Sequence, residues 1–412
     1  MHVTGIVAEY NPFHNGHLYQ LTQTKKLAGC DKIIAVMSGN FAQRGNPCIV
    51  DKYTRTQMAL KCGVDMVLEL PFPFATASAE RFAEAAISVF HKSGIVNSLC
   101  FGSEIDDITL MQEIAHTLVH ESPELSSLIK TYLNTGTSYP KSRELALIDY
   151  LRKQGTSSHA HLESLLNNPN NILGIEYIKA LIKYQSSIKP ITIKRKTSHY
   201  HDTSIHASIA SATAIRNQFK SSNIEDIECT MPSHSFDLLL QNANTSPSLD
   251  NFSMILHHKL IFSTLDDLYS LWDIPKNLCH SIYNAYLKHL KASDIIDEVT
   301  SKTYSRATVH RAILKILLDV KQNDLDSLEK LDWIPYIRVL GCKKDSLPLL
   351  SALSKASTVP VITNLGKVYN KLSPEAKCLI DYEIHATNLY YLGKELPSFY
   401  NQDFSQSFLV ID

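Results

Sequence analysis

The sequence predicts an α/β chain, with a doubly wound parallel sheet in its first half and a mainly α-helical second half. Three observations predict it: short, continuous apolar runs, helical patterns between them, and the near loss of strand signals past about residue 221. Uninterrupted apolar strands alternating with helices indicate parallel strands covered on both faces.

Val3–Ala8 reads as the first strand, and Leu18, Leu21 and Leu27 carry the helix after it. A second strand falls at 33–37, a helix at 52–62, a third strand at Met66–Leu70, and an Ala-rich helix at 77–90. A fourth strand ends at Cys100-Phe101. Residues 106–166 are helical and polar, followed by a helix at 172–184, a strand at 191–195 and a helix beginning near Ser211. Helical spacing then dominates, as at 307–320 and Leu347–Ala356, around an Asn-, Ser- and Pro-rich loop at 241–251. The expected division is therefore 1–220 and 221–412. Ligands of such sheets sit outside the carboxyl ends of the strands, so the loops after Ala8, Met37, Leu70 and Phe101 are where chemistry is expected.

Composition narrows the function. The 412 residues carry 40 Lys and Arg against 41 Asp and Glu, which excludes a polycation and leaves only a local basic face for nucleic acid. The amino terminus lacks a basic n-region and no apolar run nears the length of a membrane span, so neither signal peptide nor membrane anchor is expected. Eight scattered cysteines without a CxxC pair read as reduced cytoplasmic thiols.

The first strand runs into Glu9-Tyr10-Asn11-Pro12-Phe13-His14-Asn15-Gly16-His17 and then a helix. Pro12 biases Asn11 toward extended geometry, and Gly16 removes a side chain where backbone must approach a ligand. His17 falls at or near the helix amino end, where free N–H groups and the dipole attract phosphate. His14 and His17 can point at one polyphosphate and stabilise charge as an α-phosphate is attacked. A zinc reading of the pair lacks a third ligand, and His199-Tyr200-His201-Asp202 likewise shows no partner set, so no metal site is expected. Arg44 and Lys52 are candidate phosphate cations, and Arg195 is the strongest cation of the later strands.

The His14-Asn15-Gly16-His17 turn resembles the signature of the nucleotidylyltransferase superfamily, a Rossmann-like fold. The longer string from Gly5 to His17 resembles one family in particular, the tRNA(Met) cytidine acetate ligases. The likeness continues through Ser38-Gly39-Asn40-Phe41, Gln43-Arg44-Gly45, Lys52, Glu69-Leu70-Pro71, Phe101-Gly102-Ser103-Glu104, Asn170 to Tyr177, Ile193-Lys194-Arg195 and Ile215-Arg216. It is dense in the first half and thin in the second.

The resemblance implies that acetate and ATP, accompanied by Mg²⁺, give acetyl-adenylate. The acetyl group then passes to the wobble cytidine of elongator tRNA(Met), forming N4-acetylcytidine. It implies catalytic roles for His14 and His17. It implies ATP contacts at Val7, Ala8, Glu9, Tyr10, Asn11, Pro12, Phe13, His14, Asn15, Gly16, His17, Gly102, Asn170, Arg195 and Arg216. Asn170 alone reads as a helix cap, and Asn171 is the alternative contact. Ala210 and Ala212 stand where the superfamily's second signature often carries hydroxyls. The rival readings are an adenylyltransferase for a small cofactor precursor and a non-catalytic nucleotide- or RNA-binding module.

Residues 221–412 hold 18 Lys and Arg against 23 Asp and Glu. Against that trend, Lys302, Arg306, Arg311 and Lys315, with Tyr304 and His310, form a basic and aromatic stretch suited to RNA phosphates and bases. It also resembles the family's carboxyl-terminal region, which marks these four cations as the expected tRNA contacts.

Overall fold

The computed structural model describes residues 1–137, 139–155, 159–195, 209–221, 224–243 and 246–412. Its strands are β1 (Val3–Ala8), β2 (Lys32–Ser38), β3 (Met66–Leu70), β4 (Ser98–Ser103), β5 (Lys189–Lys194), β6 (Ile337–Lys343), β7 (Val361–Ile362) and β8 (Leu409–Ile411). They lie in the order β5-β4-β1-β2-β3-β6-β7, with β8 against β6. Strands β1 to β5 pair in parallel, β6 runs antiparallel to β3, and β7 and β8 run parallel to β6.

Alternate residues of each strand feed opposite faces of the sheet. Ile34 and Val36 enter one apolar cluster with Leu68 and Phe90. Ile33, Ala35 and Met37 enter another with Leu21, Met58 and Leu60. Burial on both faces explains why the strands read as continuous apolar runs. The covering helices that carry the site are α1 (Asn15–Ala28), α2 (Lys52–Lys61), α3 (Ala79–Ser93), α4 (Pro169–Lys183) and α5 (Ala212–Lys220). From β1 the chain moves to β2 and β3 on one side, then returns to place β4 and β5 on the other. The loop after β1 therefore opens at the point where the winding reverses, where such sheets bind ligands.

The second half is mainly helical, including α6 (Arg306–Leu318) and α7 (Pro374–Gly393). It also gives the sheet β6, β7 and β8, strands the expectation did not include. The run 337–342 is broken by Arg338, which obscures a strand in the sequence. In the fold that arginine reaches a buried ionic cluster, with Nη1 3.2 Å from Glu69 and 2.5 Å from Asp403.

Candidate active site at the reversal of the sheet

The backbone turns sharply after β1, with Tyr10 at φ 48°, and α1 begins at Asn15. His14 is the amino-terminal cap of α1: its Nδ1 accepts from the Gly16 N–H at 3.0 Å. His17 Nδ1 accepts from the His14 N–H at 3.2 Å. A nitrogen that accepts carries no proton, so both imidazoles are neutral and hold theirs on Nε2. Each ring thus has a free-standing N–H donor to offer. The rings lie 3.8 Å apart, and Tyr10 and Phe13 pack on His17. Gly16 is required here, because a Cβ would stand 2.8 Å from the His14 ring.

Electrostatics agree with the tautomers. Burial first, then the Arg195 and Arg216 guanidinium groups, lower the His14 pKa to about 3. Burial, His14 and Arg195 push His17 the same way. A depressed histidine pKa makes the fold sensitive to acid. Above the ordinary value of 6.5 both folded and unfolded chains are neutral at these rings. Below it the unfolded chain takes protons that the folded one refuses. Each ring therefore removes about 1.4 kcal/mol of stability per pH unit from there down toward its folded pKa. Urea melts of wild type and His14→Gln at pH 7 and pH 5 check this: wild type should lose more stability, and equal losses would remove His14 from the account.

The carboxyl ends of β4 and β5 supply the opposite wall. A Cβ on Gly102 would approach Arg195 Cγ to 3.1 Å, so the glycine leaves room for that side chain. Arg195 Nη1 reaches Asn170 Oδ1 at 3.5 Å, and Asn170 Nδ2 donates to Glu104 at 2.5 Å. The cap of α4 is Asn168, not Asn170, which leaves Asn170 beside Arg195. Asn171 is instead buried, accepting from Ser103 Oγ at 2.7 Å and the Glu104 N–H at 2.9 Å. On α5, capped by Ser211, Arg216 donates to the Asn11 carbonyl at 2.7 Å and to Thr213 at 3.1 Å. His14, His17, Gly102, Asn170, Arg195 and Arg216 thus gather at one end of the sheet. Among the described residues no three His, Cys, Asp or Glu are arranged to hold a metal. His199 and His201 lie outside the described residues.

Two expected cations lie elsewhere. Lys52 is wholly buried, with Glu69, Glu383 and Asp403 at 2.6, 2.8 and 2.6 Å, so its ammonium is spent in the core and does not face a polyphosphate. Lys315 is also buried, paired with Asp273 at 2.8 Å and 4.5 Å over the Trp272 ring, so it presents no charge to RNA. The other cations remain accessible. Lys302 and Arg306 are exposed, Arg311 is half-buried and donates to Thr308, and Arg44 is exposed on the turn after β2. Sequence reasoning passed over Arg55. Fully buried, it donates to the carbonyls of Glu9, Ser38, Gly39 and Val50, and so fixes the ends of β1 and β2 behind the histidines.

A parallel sheet with this histidine turn at its reversal point defines a nucleotidyl transferase of the HIGH type, and the HIGH Nucleotidyl Transferase family model matches residues 1–406. A tRNA(Met) cytidine acetate ligase from Acetivibrio thermocellus is 37% identical over 420 residues, covering 100% of both chains. One from Clostridium perfringens is 40% identical over 394 residues, covering 95% of each. The crystal structure of Thermotoga maritima TmcAL bound with alpha-thio ATP superposes with a TM-score of 0.91, at 32% identity and full coverage of both chains. The apo form gives 0.93. The chain belongs to the tRNA(Met) cytidine acetate ligase family.

Proposed function

We propose that this protein uses ATP to adenylylate acetate and passes the acetyl group to the wobble cytidine of elongator tRNA(Met), in the cytoplasm. The observation that carries this reading is the pair of neutral histidines, each with an Nε2–H donor, facing two guanidinium groups at the sheet's reversal point. That field of donors suits a triphosphate, whose negative charge balances the two guanidinium groups beside His14, an imidazole held neutral first by its burial and then by Arg195 and Arg216. Support also comes from the relatives' names and from the alpha-thio ATP held by the Thermotoga maritima structure.

An acetate oxygen forms a bond to the α-phosphorus in line, the α–β bridging P–O bond breaks, and pyrophosphate leaves with the electron pair. The cytidine N4 then bonds to the acetyl carbon, the anhydride C–O bond breaks, and AMP departs as the N4 proton is lost. The carboxylate is itself the nucleophile, so no side-chain nucleophile is needed. The chain's residues orient the phosphates and exclude water. Mg²⁺ brought in with ATP would add to the charge neutralisation that Arg195 and Arg216 offer the phosphates.

Acetate-dependent ATP–pyrophosphate exchange, screened over small carboxylates, tests the first step. Exchange with a cofactor precursor but not with acetate would favour an adenylyltransferase instead. The accessible basic stretch at the start of α6 supports a tRNA-facing role for 221–412, with 1–220 holding the nucleotide. Replacing Lys302 and Arg306 with alanine should weaken tRNA binding and flatten its logarithmic salt slope by roughly 0.7 to 0.9 per contact. An unchanged slope returns both to solvated surface.

A further inference from the structure

Between β4 and α4 the chain inserts a group of helices, among them Ile108–Val119, Tyr139–Lys153 and His159–Asn167. With α4 these three form a cavity of about 290 Å³, a size at the lower end for small-molecule sites. Its floor is aliphatic, made by Leu118, Leu147, Leu166 and Ile175, and the exposed Ile172 extends it toward water. Four charged side chains complete the lining: Lys141, Arg143 and Glu144 from Tyr139–Lys153, and the buried Glu176 from α4. Glu176 is fully engaged, one oxygen 3.2 Å from Arg143 Nη2 and the other 2.6 Å from Lys179 Nζ. The other two are half-used. Glu144 spends only Oε1, on Lys141 at 2.7 Å, and Arg143 spends only Nη2. Glu144 Oε2 and the remaining Arg143 N–H groups have no partner among the described residues.

We infer that this cavity binds a free α-amino acid with an aliphatic side chain, such as leucine, and that its occupancy is felt at Asn170. The chemistry is complementary at three points. The ligand ammonium donates to Glu144 Oε2, its carboxylate accepts from the planar Arg143 fork, and its side chain covers the aliphatic floor. Two cations and two carboxylates give the lining no net charge, which matches a zwitterion. A fatty carboxylate would leave Glu144 unanswered and facing a like charge, and an alkylamine would do the same to Arg143. The link to the nucleotide site is α4 itself. Leu166 and Ile172 flank Asn170 along the chain, and Asn170 Oδ1 lies 3.5 Å from Arg195 Nη1. A ligand that ties Tyr139–Lys153 to the first turns of α4 holds Asn170 in place, so ATP then binds with less freedom left to lose.

The test is calorimetric titration of the full chain with leucine, isocaproate, isoamylamine and glycine. Isocaproate is leucine without its ammonium, isoamylamine is leucine without its carboxylate, and glycine lacks the side chain. Leucine should bind about tenfold or more tighter than each of the others, since each forfeits a charge-assisted pair or the apolar contact. Glu144→Gln should weaken leucine about tenfold and should not weaken isocaproate. A melting curve checks the fold of that variant, and the ligand series on wild type decides without it. Saturating leucine should also raise the affinity for a non-hydrolysable ATP analogue about fivefold, and the analogue should raise that for leucine equally. No binding at millimolar leucine, isocaproate or isoamylamine binding as tightly as leucine, or a folded Glu144→Gln protein with unaltered leucine affinity would each overturn the site. An unaltered affinity for the ATP analogue would overturn the link to Asn170. None of these titrations involves acetate, tRNA or turnover, so they stand or fall apart from the acetyl-transfer reading.

Discussion

Replacing His14 or His17 with alanine lowers acetate-dependent ATP–pyrophosphate exchange by about 100- to 1000-fold, the usual loss when one preorganised donor to a developing charge is removed. The size follows from how firmly the donors are held. Each Nδ1 is tied to a backbone N–H of the same helix start, so each Nε2–H is aimed before ATP arrives. Removing His14 also takes the cap from α1 and leaves the Gly16 N–H without its partner, which costs about 1 kcal/mol of stability. His17 accepts only from its neighbour's N–H and should cost less stability for a similar kinetic loss. Exchange within tenfold of wild type in both folded variants would remove the histidines from phosphate chemistry. A rate loss matched by a collapse of the fold would show that they act only as caps.

Lys52→Met should destabilise the whole protein by about 3–5 kcal/mol, because it leaves the Arg338 guanidinium as the one cation facing the buried carboxylates of Glu69 and Asp403. Lys52 and Arg338 face Glu69, Glu383 and Asp403, so the cluster holds one negative charge too many. Burial, and then Glu69, raise the Glu383 pKa to about 8, so the surplus is neutralised by a proton on Glu383. That group is protonated in the fold and ionised in the unfolded chain between pH 4.5 and about 8. Its contribution is complete below the lower value and fades as pH rises through the upper one. Glu383→Gln should then cost little at neutral pH and reduce the loss of stability on going from pH 6 to pH 8. Urea melts of both variants at these two pH values decide it. A Lys52→Met protein as stable as wild type, or a Glu383→Gln protein as damaged as Lys52→Met, would refute this division of charge.

The sequence made the histidine site legible because its chemistry is local: cap, glycine and both rings fall within four consecutive residues. The partners Gly102, Asn170, Arg195 and Arg216 came from the family resemblance and from the rule that ligands gather at strand ends, and the fold brings them together. Lys52 and Lys315 misled for the opposite reason. A lysine looks the same in a string whether water or carboxylates surround it, and the Lys52 partner Glu383 is 331 residues away. Strand β6 hid because Arg338 interrupts its apolar run to serve that same cluster.

The ionic cluster also sets a schedule for synthesis. Lys52 leaves the ribosome long before Glu383 and Asp403 exist, and at typical elongation rates the wait is roughly 20 to 70 s. Until then α2 has only Glu69 for its ammonium, and the sheet edge at β3 lacks β6. The turn after β2 stays unsecured for the same interval, because Gly39, whose carbonyl Arg55 holds, packs against the Glu383 carboxylate. The turn after β2 is therefore complete only once α7 has been made, so an interrupted translation product is expected to be a chaperone client.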